Sequence, residues 1–301
     1  MKVKYKLQAI SKHLSTAGIE SPDKEAEIIL RNALNMNVID IYRDDPELTD
    51  KQMSMLESVV SRRTSREPLQ YIFGHVDFLG LKLQVGKGVL IPRPETELMA
   101  EYAINRARAY FNTPLQQPIT YHPSPITVLD LCTGSGCLAL ALAKEFPDAQ
   151  VYGIDLSEIA LKYAGRNAEL NEISNASFIH GNLFEPFTNF LTHNSKLFTF
   201  DLIISNPPYI RSDDIGNLQP EIKDWEPLNA LDGGTDGLDF YRAIIPIARQ
   251  FLKDSGILML EIGISQADTV AQMFECSGYK DIVVQKDYAG IERIISAQNL
   301  V

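Results

Sequence analysis

The chain is poor in cysteine, and what it has is scattered. Cys132, Cys137 and Cys276 are an odd number among 301 residues and show no ligand-like clustering, which points away from a cysteine-built metal site and suits a reducing cytoplasm. Long apolar runs are missing too: no stretch approaches the roughly 20 residues that a membrane span needs. The N-terminus, MKVKYKLQAISKHL, has no apolar segment of the kind a signal peptide carries. Positive charge is in deficit, with 28 Lys and Arg against 39 Asp and Glu and a formal net charge of -11. That balance argues against broad contact with nucleic-acid phosphates. The five histidines are dispersed; His75 and His180 read as surface or packing residues, and no metal site is suggested. No internal repeat or low-complexity tract is present. An apolar content of 45% is enough to build a core, and the length suits one large domain or two smaller ones. The expectation is a cytoplasmic globular protein with no membrane partner.

The first stretch, to about Phe73, reads as helices. Ser21-Pro22 opens one, with Ser expected to cap the free amides and Pro at the first helical position, where it has no N–H to lose. Ile28, Ile29, Ala33 and Leu34 follow at helical spacing. Thr49 with Gln52 forms a capping box, and Met53, Leu56, Val59 and Val60 give that helix a stripe to bury. From Val76 to Val85 a short alternation around Gly80 predicts a hairpin. Pro92 and Pro94 then exclude helix interior and mark a connector, with a helix starting near Glu95. The segment from Asn112 to Pro125, rich in Pro, Gln and Thr, reads as a surface loop. After Ile126 the pattern alternates strand and helix, with strands expected at 126–131, 151–154, 177–179, 202–205 and 256–262. Buried apolar strands alternating with helices imply a parallel sheet covered on both faces. Segments 279–285 and 292–296 can add a final hairpin.

Three constellations carry chemistry. Val128-Leu129-Asp130-Leu131-Cys132-Thr133-Gly134-Ser135-Gly136 is a strand running into a tight loop and then a helix. Its glycines let a ligand approach the backbone, and the helix N-terminus offers free amides, although such a loop is also a plain turn in many α/β folds. Asp155 ends the next strand, at the spacing expected of an acid that grips ribose hydroxyls; a helix cap is the alternative. Third, Asp201-Leu202-Ile203-Ile204-Ser205 delivers Asn206-Pro207-Pro208-Tyr209 at a strand's carboxyl end, where such sheets bind ligands. The lone pair of a planar NH2 group is delocalised, so the group is a poor nucleophile. A site helps by accepting hydrogen bonds from both hydrogens. The Asn206 side-chain oxygen is one acceptor and the Pro207 carbonyl a second. The prolines stiffen the loop, and Tyr209 can pack against a planar group. Glu261, at the end of an apolar strand, either faces the cleft or simply ends the strand; Glu95 and Glu97 either line a pocket or start a helix.

The order of Gly loop, acidic strand end and Asn-Pro-Pro-Tyr resembles the amino-group methyltransferases that use S-adenosylmethionine. Within them the chain resembles the HemK family, the release-factor glutamine N5-methyltransferases. The resemblance extends to Glu67-Pro68-Leu69-Gln70-Tyr71-Ile72-Phe73-Gly74, to Leu90-Ile91-Pro92-Arg93-Pro94-Glu95-Thr96-Glu97, and to Trp225-Glu226-Pro227-Leu228-Asn229-Ala230-Leu231 with Gly233-Gly234-Thr235-Asp236-Gly237 after it. It covers nearly the whole chain, least specifically before Ser65. It implies a Rossmann-like class I methyltransferase sheet, an α/β doubly wound architecture with a C-terminal antiparallel hairpin, preceded by a small helical domain. The expected division is a helical substrate-recognition domain over 1–75, a hairpin and connector over 76–94, and a methyltransferase domain over 95–301. By the same resemblance Cys132, Thr133, Gly134, Ser135, Gly136 and Asp155 bind the cofactor, with Asn206 beside it, while Asn182 and Leu183 flank its adenine. Asn206, Pro207, Pro208 and Tyr209 hold a glutamine from a Gly-Gly-Gln tripeptide. S-adenosylmethionine would be turned into S-adenosylhomocysteine, the partners would be peptide chain release factors, and the enzyme would act as a monomer without stable nucleic-acid binding. Cys132 stands where the family usually has Gly, Asn182 where an acid is common, and Leu183 where an aromatic is common. A DNA or RNA adenine N6-methyltransferase is the alternative enzyme, since adenine presents a similar planar NH2.

Overall fold

Segments 128–131, 202–205 and 256–261 are largely apolar and buried along their length, because a strand buried on both faces has no solvent side to give to polar residues. The computed structural model describes residues 1–111, 125–188 and 199–300, so most of the segment read as a surface loop, 112–124, lies outside the described residues. In chain order the elements begin with α1 (Val3–Thr16), α2 (Pro22–Leu34), α3 (Asp50–Thr64), α4 (Leu69–Phe73), β1 (His75–Phe78), β2 (Leu81–Gln84) and α5 (Pro94–Phe111). They continue with β3 (Thr127–Leu131), α6 (Cys137–Glu145), β4 (Gln150–Asp155), α7 (Glu158–Leu170), β5 (Ala176–His180), α8 (Glu185–Thr188) and β6 (Phe200–Ser205). The last are α9 (Pro220–Lys223), α10 (Asp239–Phe251), β7 (Leu252–Glu261), α11 (Ala267–Cys276), β8 (Lys280–Lys286) and β9 (Glu292–Gln298).

The chain divides into two compact units, one formed by Met1–His75 with Gln219–Trp225, the other by Val76–Leu218 with Glu226–Val301. In the first, α1, α2 and α3 bury Ile10, Leu14, Ile29, Leu30, Leu56 and Val60 in a common core. The capping box forms as the residues require: Thr49 Oγ1 accepts from Gln52 N, and Gln52 Oε1 accepts from Thr49 N at 2.9 Å. Ser21 does not cap as expected. It precedes α2, and Pro22 takes the first helical position, but the Ser21 side chain makes no capping bond. Its backbone sits at φ -124, ψ 62 rather than in the extended region from which a cap hydroxyl meets the helix amides. The inward face of α2 is also displaced from the expected one: Ala26, Ile29 and Leu30 are buried, whereas Ile28 is only half-buried.

In the second unit a seven-stranded sheet runs in the order β5-β4-β3-β6-β7-β9-β8. Strands β5, β4, β3, β6 and β7 are parallel, and β9 pairs antiparallel with both β7 and β8. The C-terminal hairpin is therefore present, with its second strand inserted next to β7. Alternate residues serve opposite faces. Leu129, Leu131, Ile203 and Leu258 pack with α10 and α11 through Ile244, Ile245, Val270 and Phe274. Val128, Leu202, Ile204 and Met259 pack with α5, α6 and the β1–β2 hairpin. Helix α6 is buried from Cys137 through Ala143, as an all-apolar helix should be. Leu79 and Gly80, both at positive φ, turn the β1–β2 hairpin. After β3 the chain builds outward through β4 and β5, then returns to lay β6 on the other side of β3. The crevice between the carboxyl ends of β3 and β6 is thus the topological switch point, where sheets of this kind take ligands.

Candidate active site

Loops from β3, β4, β5 and β6 meet at that switch point around a cavity of about 750 Å3. The loop after β3 is held from several sides. Thr133 N donates to Ile154 O at 2.9 Å and Gly136 N to Thr133 O at 2.8 Å. Thr133 Oγ1 donates to Asp130 Oδ2 at 2.6 Å, and Ala139 N to the same oxygen at 3.1 Å. Asn167, fully buried on α7, donates to Ser135 O at 2.9 Å and to Gln84 O at 3.1 Å, so one amide ties the loop to β2. Asp130 is completely buried, and burial pushes its carboxyl up to about 7 against the hydrogen bonds from Thr133 and Ala139. Cys132 adopts φ 58 and Leu183 φ 49. Both side chains line the cavity from the left-handed backbone region that favours glycine.

Asp155 ends β4, its carboxyl raised by burial. Its Oδ2 accepts from Gly134 N and its Oδ1 from Ser157 N, each at 2.8 Å. The helix cap itself is Ser157, whose side chain accepts from Ala160 N, so Asp155 is not the capping residue of α7. It braces the Gly loop and lines the cavity beside it.

Ser205, at the end of β6, is anchored by its hydroxyl to Leu131 O at 2.7 Å. The half-buried Asn206 follows, and its Nδ2 donates to Thr96 Oγ1 at 3.0 Å. Thr96 Oγ1 in turn donates to Glu261 Oε2 at 2.7 Å, while Tyr209 OH donates to Glu261 Oε1 at 3.0 Å. Thr96 and Glu261 are each 1% exposed. Burial, with the Glu261 carboxylate beside it, holds the Tyr209 hydroxyl far above its ordinary range, so the phenol keeps its proton. Behind the Asn-Pro-Pro-Tyr loop, Gly233 N donates to Ile210 O at 2.8 Å and Ile210 N to Leu231 O at 3.0 Å. A methyl group at Gly233 would lie 2.7 Å from Tyr209 Cα, so only glycine lets the two backbones approach this closely. Gln266 Nε2 donates to Tyr209 O at 3.1 Å and to Gly237 O at 3.2 Å.

Of the residues singled out from the sequence, Cys132, Thr133, Gly134, Ser135, Asp155, Asn182, Leu183, Asn206 and Pro208 line this one cavity. Gly136, Pro207 and Tyr209 are not among the lining residues. Gly136 is buried as the N-cap of α6 at φ 82, Pro207 is buried within the loop, and Tyr209 is turned to Glu261. The Tyr209 ring is therefore held by its hydroxyl from inside the protein. Glu95 and Glu97 occupy the first turn of α5 and do not line the cavity, whereas Thr96 between them does. The Arg93 guanidinium pairs with the buried Glu226 at 2.5 Å, so the connector is pinned to the loop that carries Leu228, Asn229 and Ala230 to the cavity wall. Glu261, left open between facing the cleft and ending the strand, turns to Thr96 and Tyr209. Thr96, Gln266 and Leu156 are not singled out by sequence reasoning, and of these only Leu156, apolar and 61% exposed directly after the acidic strand end, leaves a readable signal. Chemically, the wall combines hydrogen-bonding groups from the Gly loop and Asp155, apolar surface from Leu138, Ala160, Leu183 and Phe240, and the Asn206 side-chain amide.

A switch-point cavity with a Gly loop, an acidic strand end and Asn-Pro-Pro-Tyr defines a methyltransferase, and residues 123–289 match the family model described as a methyltransferase domain. Residues 6–74 match the model of the PrmC N-terminal domain. The release factor glutamine methyltransferase of Thermodesulfovibrio yellowstonii is 45% identical over 91% of this chain and 92% of that protein. That of Geobacter sulfurreducens is 41% identical over 95% of this chain and 93% of that protein. The chain belongs to the family of release factor glutamine methyltransferases. The fold is also that of the human methyltransferase 10 domain containing protein, with a TM-score of 0.52 at 15% identity over 74% of this chain and 90% of that one.

Proposed function

We propose that the chain transfers a methyl group from S-adenosylmethionine to the side-chain amide nitrogen of a glutamine in a peptide chain release factor, within a Gly-Gly-Gln tripeptide, leaving S-adenosylhomocysteine. The observation that carries this reading is Asn206: its Nδ2 is committed to Thr96, which leaves Oδ1 as a fixed acceptor in a cavity that the Gly loop and Asp155 also line. An amide NH2 can donate to such an acceptor, whereas a carboxylate substrate has no hydrogen to give. The residues present suit the donor as well. Asp155 offers a carboxylate for ribose hydroxyls, the Ser135 hydroxyl is buried without a nitrogen or oxygen partner, and the volume is that of a cofactor-sized pocket. Asn182, Leu183 and Leu156 supply the wall for a base, and Cys132–Gly136 the close backbone approach.

When bound, the donor supplies an electrophilic methyl carbon. The protein's own part is positioning. Asn206 Oδ1 accepts an amide hydrogen and holds the nitrogen lone pair in line, while the proline-stiffened loop keeps that acceptor from relaxing. No strong base is required, because the nitrogen becomes strongly acidic once it carries the methyl group. The helical unit is assigned the task of engaging the release factor. The enzyme acts as a cytoplasmic monomer that forms no stable complex with nucleic acid, as its charge of -11 favours. Among the described residues no helix is long and apolar enough to cross a membrane. Methyl-labelled S-adenosylmethionine offered together with an intact release factor, duplex DNA or RNA tests the assignment. Label in the protein acceptor supports it, and label confined to nucleic acid overturns it.

A further inference from the structure

Glu261 is almost fully buried at the end of β7, does not line the cavity, and has no part in the chemistry above. Both of its oxygens are nevertheless occupied, one by the Thr96 hydroxyl and one by the Tyr209 hydroxyl. A carboxylate can only accept, and a threonine hydroxyl has one proton to give. Once that proton is donated to Glu261, Thr96 Oγ1 can only accept from its other neighbour, the Asn206 side chain at 3.0 Å. Only Nδ2 of that amide can donate. The direction of the whole chain of hydrogen bonds is therefore set from its buried end, and Asn206 Oδ1 is left as the atom offered to substrate. We propose that Glu261 is a positioning residue that fixes, through Thr96, which end of the Asn206 amide meets the substrate, and so makes the site select an NH2 donor. This rests on the amide-methylation reading given above.

A neutral amide in place of Glu261 removes the direction. Its own NH2 can donate to Thr96, whose proton then turns to Asn206 Oδ1. Nδ2 would be presented to the substrate NH2, donor against donor. The groups around Glu261 come from four elements. Thr96 and Glu95 lie on α5, Tyr209 follows β6, Tyr241 on α10 donates to the Glu261 main-chain oxygen at 3.0 Å, and Arg293 lies on β9. Burial outweighs the hydrogen bonds and Arg293, and with a smaller push from Glu95 it raises the carboxyl to about 7. The direction is thus enforced above that pH and weakened below it.

The test uses the full chain with Glu261→Gln, Thr96→Val and Thr96→Ser, assayed for kcat and KM on a release factor and for cofactor affinity by calorimetry. Glu261→Gln and Thr96→Val are expected to lower kcat by about a hundredfold with cofactor affinity unchanged. Thr96→Ser, which keeps the hydroxyl, should restore turnover. The fall in kcat on the acid side near pH 7 should be present in the wild type and absent in Glu261→Gln. Wild-type kcat and an unaltered pH profile in Glu261→Gln would overturn the proposal. If the wild type methylates no release factor, the functional reading fails, and the relay is judged separately. The Asn206 side-chain amide resonances, assigned by their loss in Asn206→Asp, should be protected from exchange in the wild type and lose that protection in Glu261→Gln and Thr96→Val. Equal protection in all three refutes the relay whatever the substrate.

Discussion

Under the proposed reaction Asn206 is expected to serve catalysis more than cofactor binding, because one side of its amide is spent inside the protein. Asn206→Ala should lower turnover by about a hundredfold or more while cofactor affinity changes little; wild-type turnover would remove Asn206 from the reaction. Asp155 should behave in the opposite way. It accepts from Gly134 N and Ser157 N, so Asp155→Ala should loosen the Gly loop as well as remove the proposed ribose acceptor. Cofactor affinity is expected to fall by about tenfold to a hundredfold, and an unchanged calorimetric Kd would contradict that role. The two buried carboxyls carry a pH signature. Burial pushes both Asp130 and Glu261 up to about 7, above where they titrate in the unfolded chain. The folded state then holds protons that the unfolded state has already lost, so stability declines as pH rises from about 5 to about 8. Thermal unfolding across that range should show the wild-type Tm falling with pH, and Glu261→Gln falling less. Parallel curves would rule out Glu261 as a source of the decline.

At the scale of elements, much of this site could be read from the sequence, because strands buried on both faces announce themselves as apolar runs and their ends are where chemistry sits. β3, β4 and β6 fall within a residue or two of the segments read from sequence, and so do the residues at their carboxyl ends. The supports behind those ends were not legible. Thr96 and Glu261 are 165 positions apart, and no local pattern distinguishes a glutamate that ends a strand from one that anchors a relay. The failed Ser21 cap is of the same kind: the residue type was right and the backbone angles decided otherwise. The Gly233 loop illustrates what an unremarkable glycine does here. A methyl group would press on the Tyr209 backbone, which cannot move aside as a flexible side chain can. Gly233→Ala should therefore lower kcat by about a hundredfold and leave cofactor affinity close to wild type. An equal loss of both would mean that the loop buttresses the cofactor wall instead.

At the scale of the whole molecule, the helical unit is discontinuous in sequence, which nothing in the composition of 219–225 reveals. That short segment brings Glu221 to Arg63 and Arg66, each at 2.8 Å, with Arg63 also held by Glu25 at 2.6 Å. Although burial pushes the Glu221 carboxyl up, backbone and Arg63 hydrogen bonds overcome it and hold the group below its ordinary range. Its contribution is present above the unfolded pKa and is lost on acidification. Glu221→Gln should lower unfolding stability by about 1–3 kcal/mol near neutral pH, read from the urea midpoint at constant slope. An unshifted midpoint would show that the segment is not anchored through this carboxylate. The proposed reaction is tested most directly by peptide mapping by mass spectrometry of a release factor incubated with the enzyme and S-adenosylmethionine. A single added methyl on the glutamine of Gly-Gly-Gln is predicted. An unmodified glutamine, or a methyl on any other residue, would contradict it.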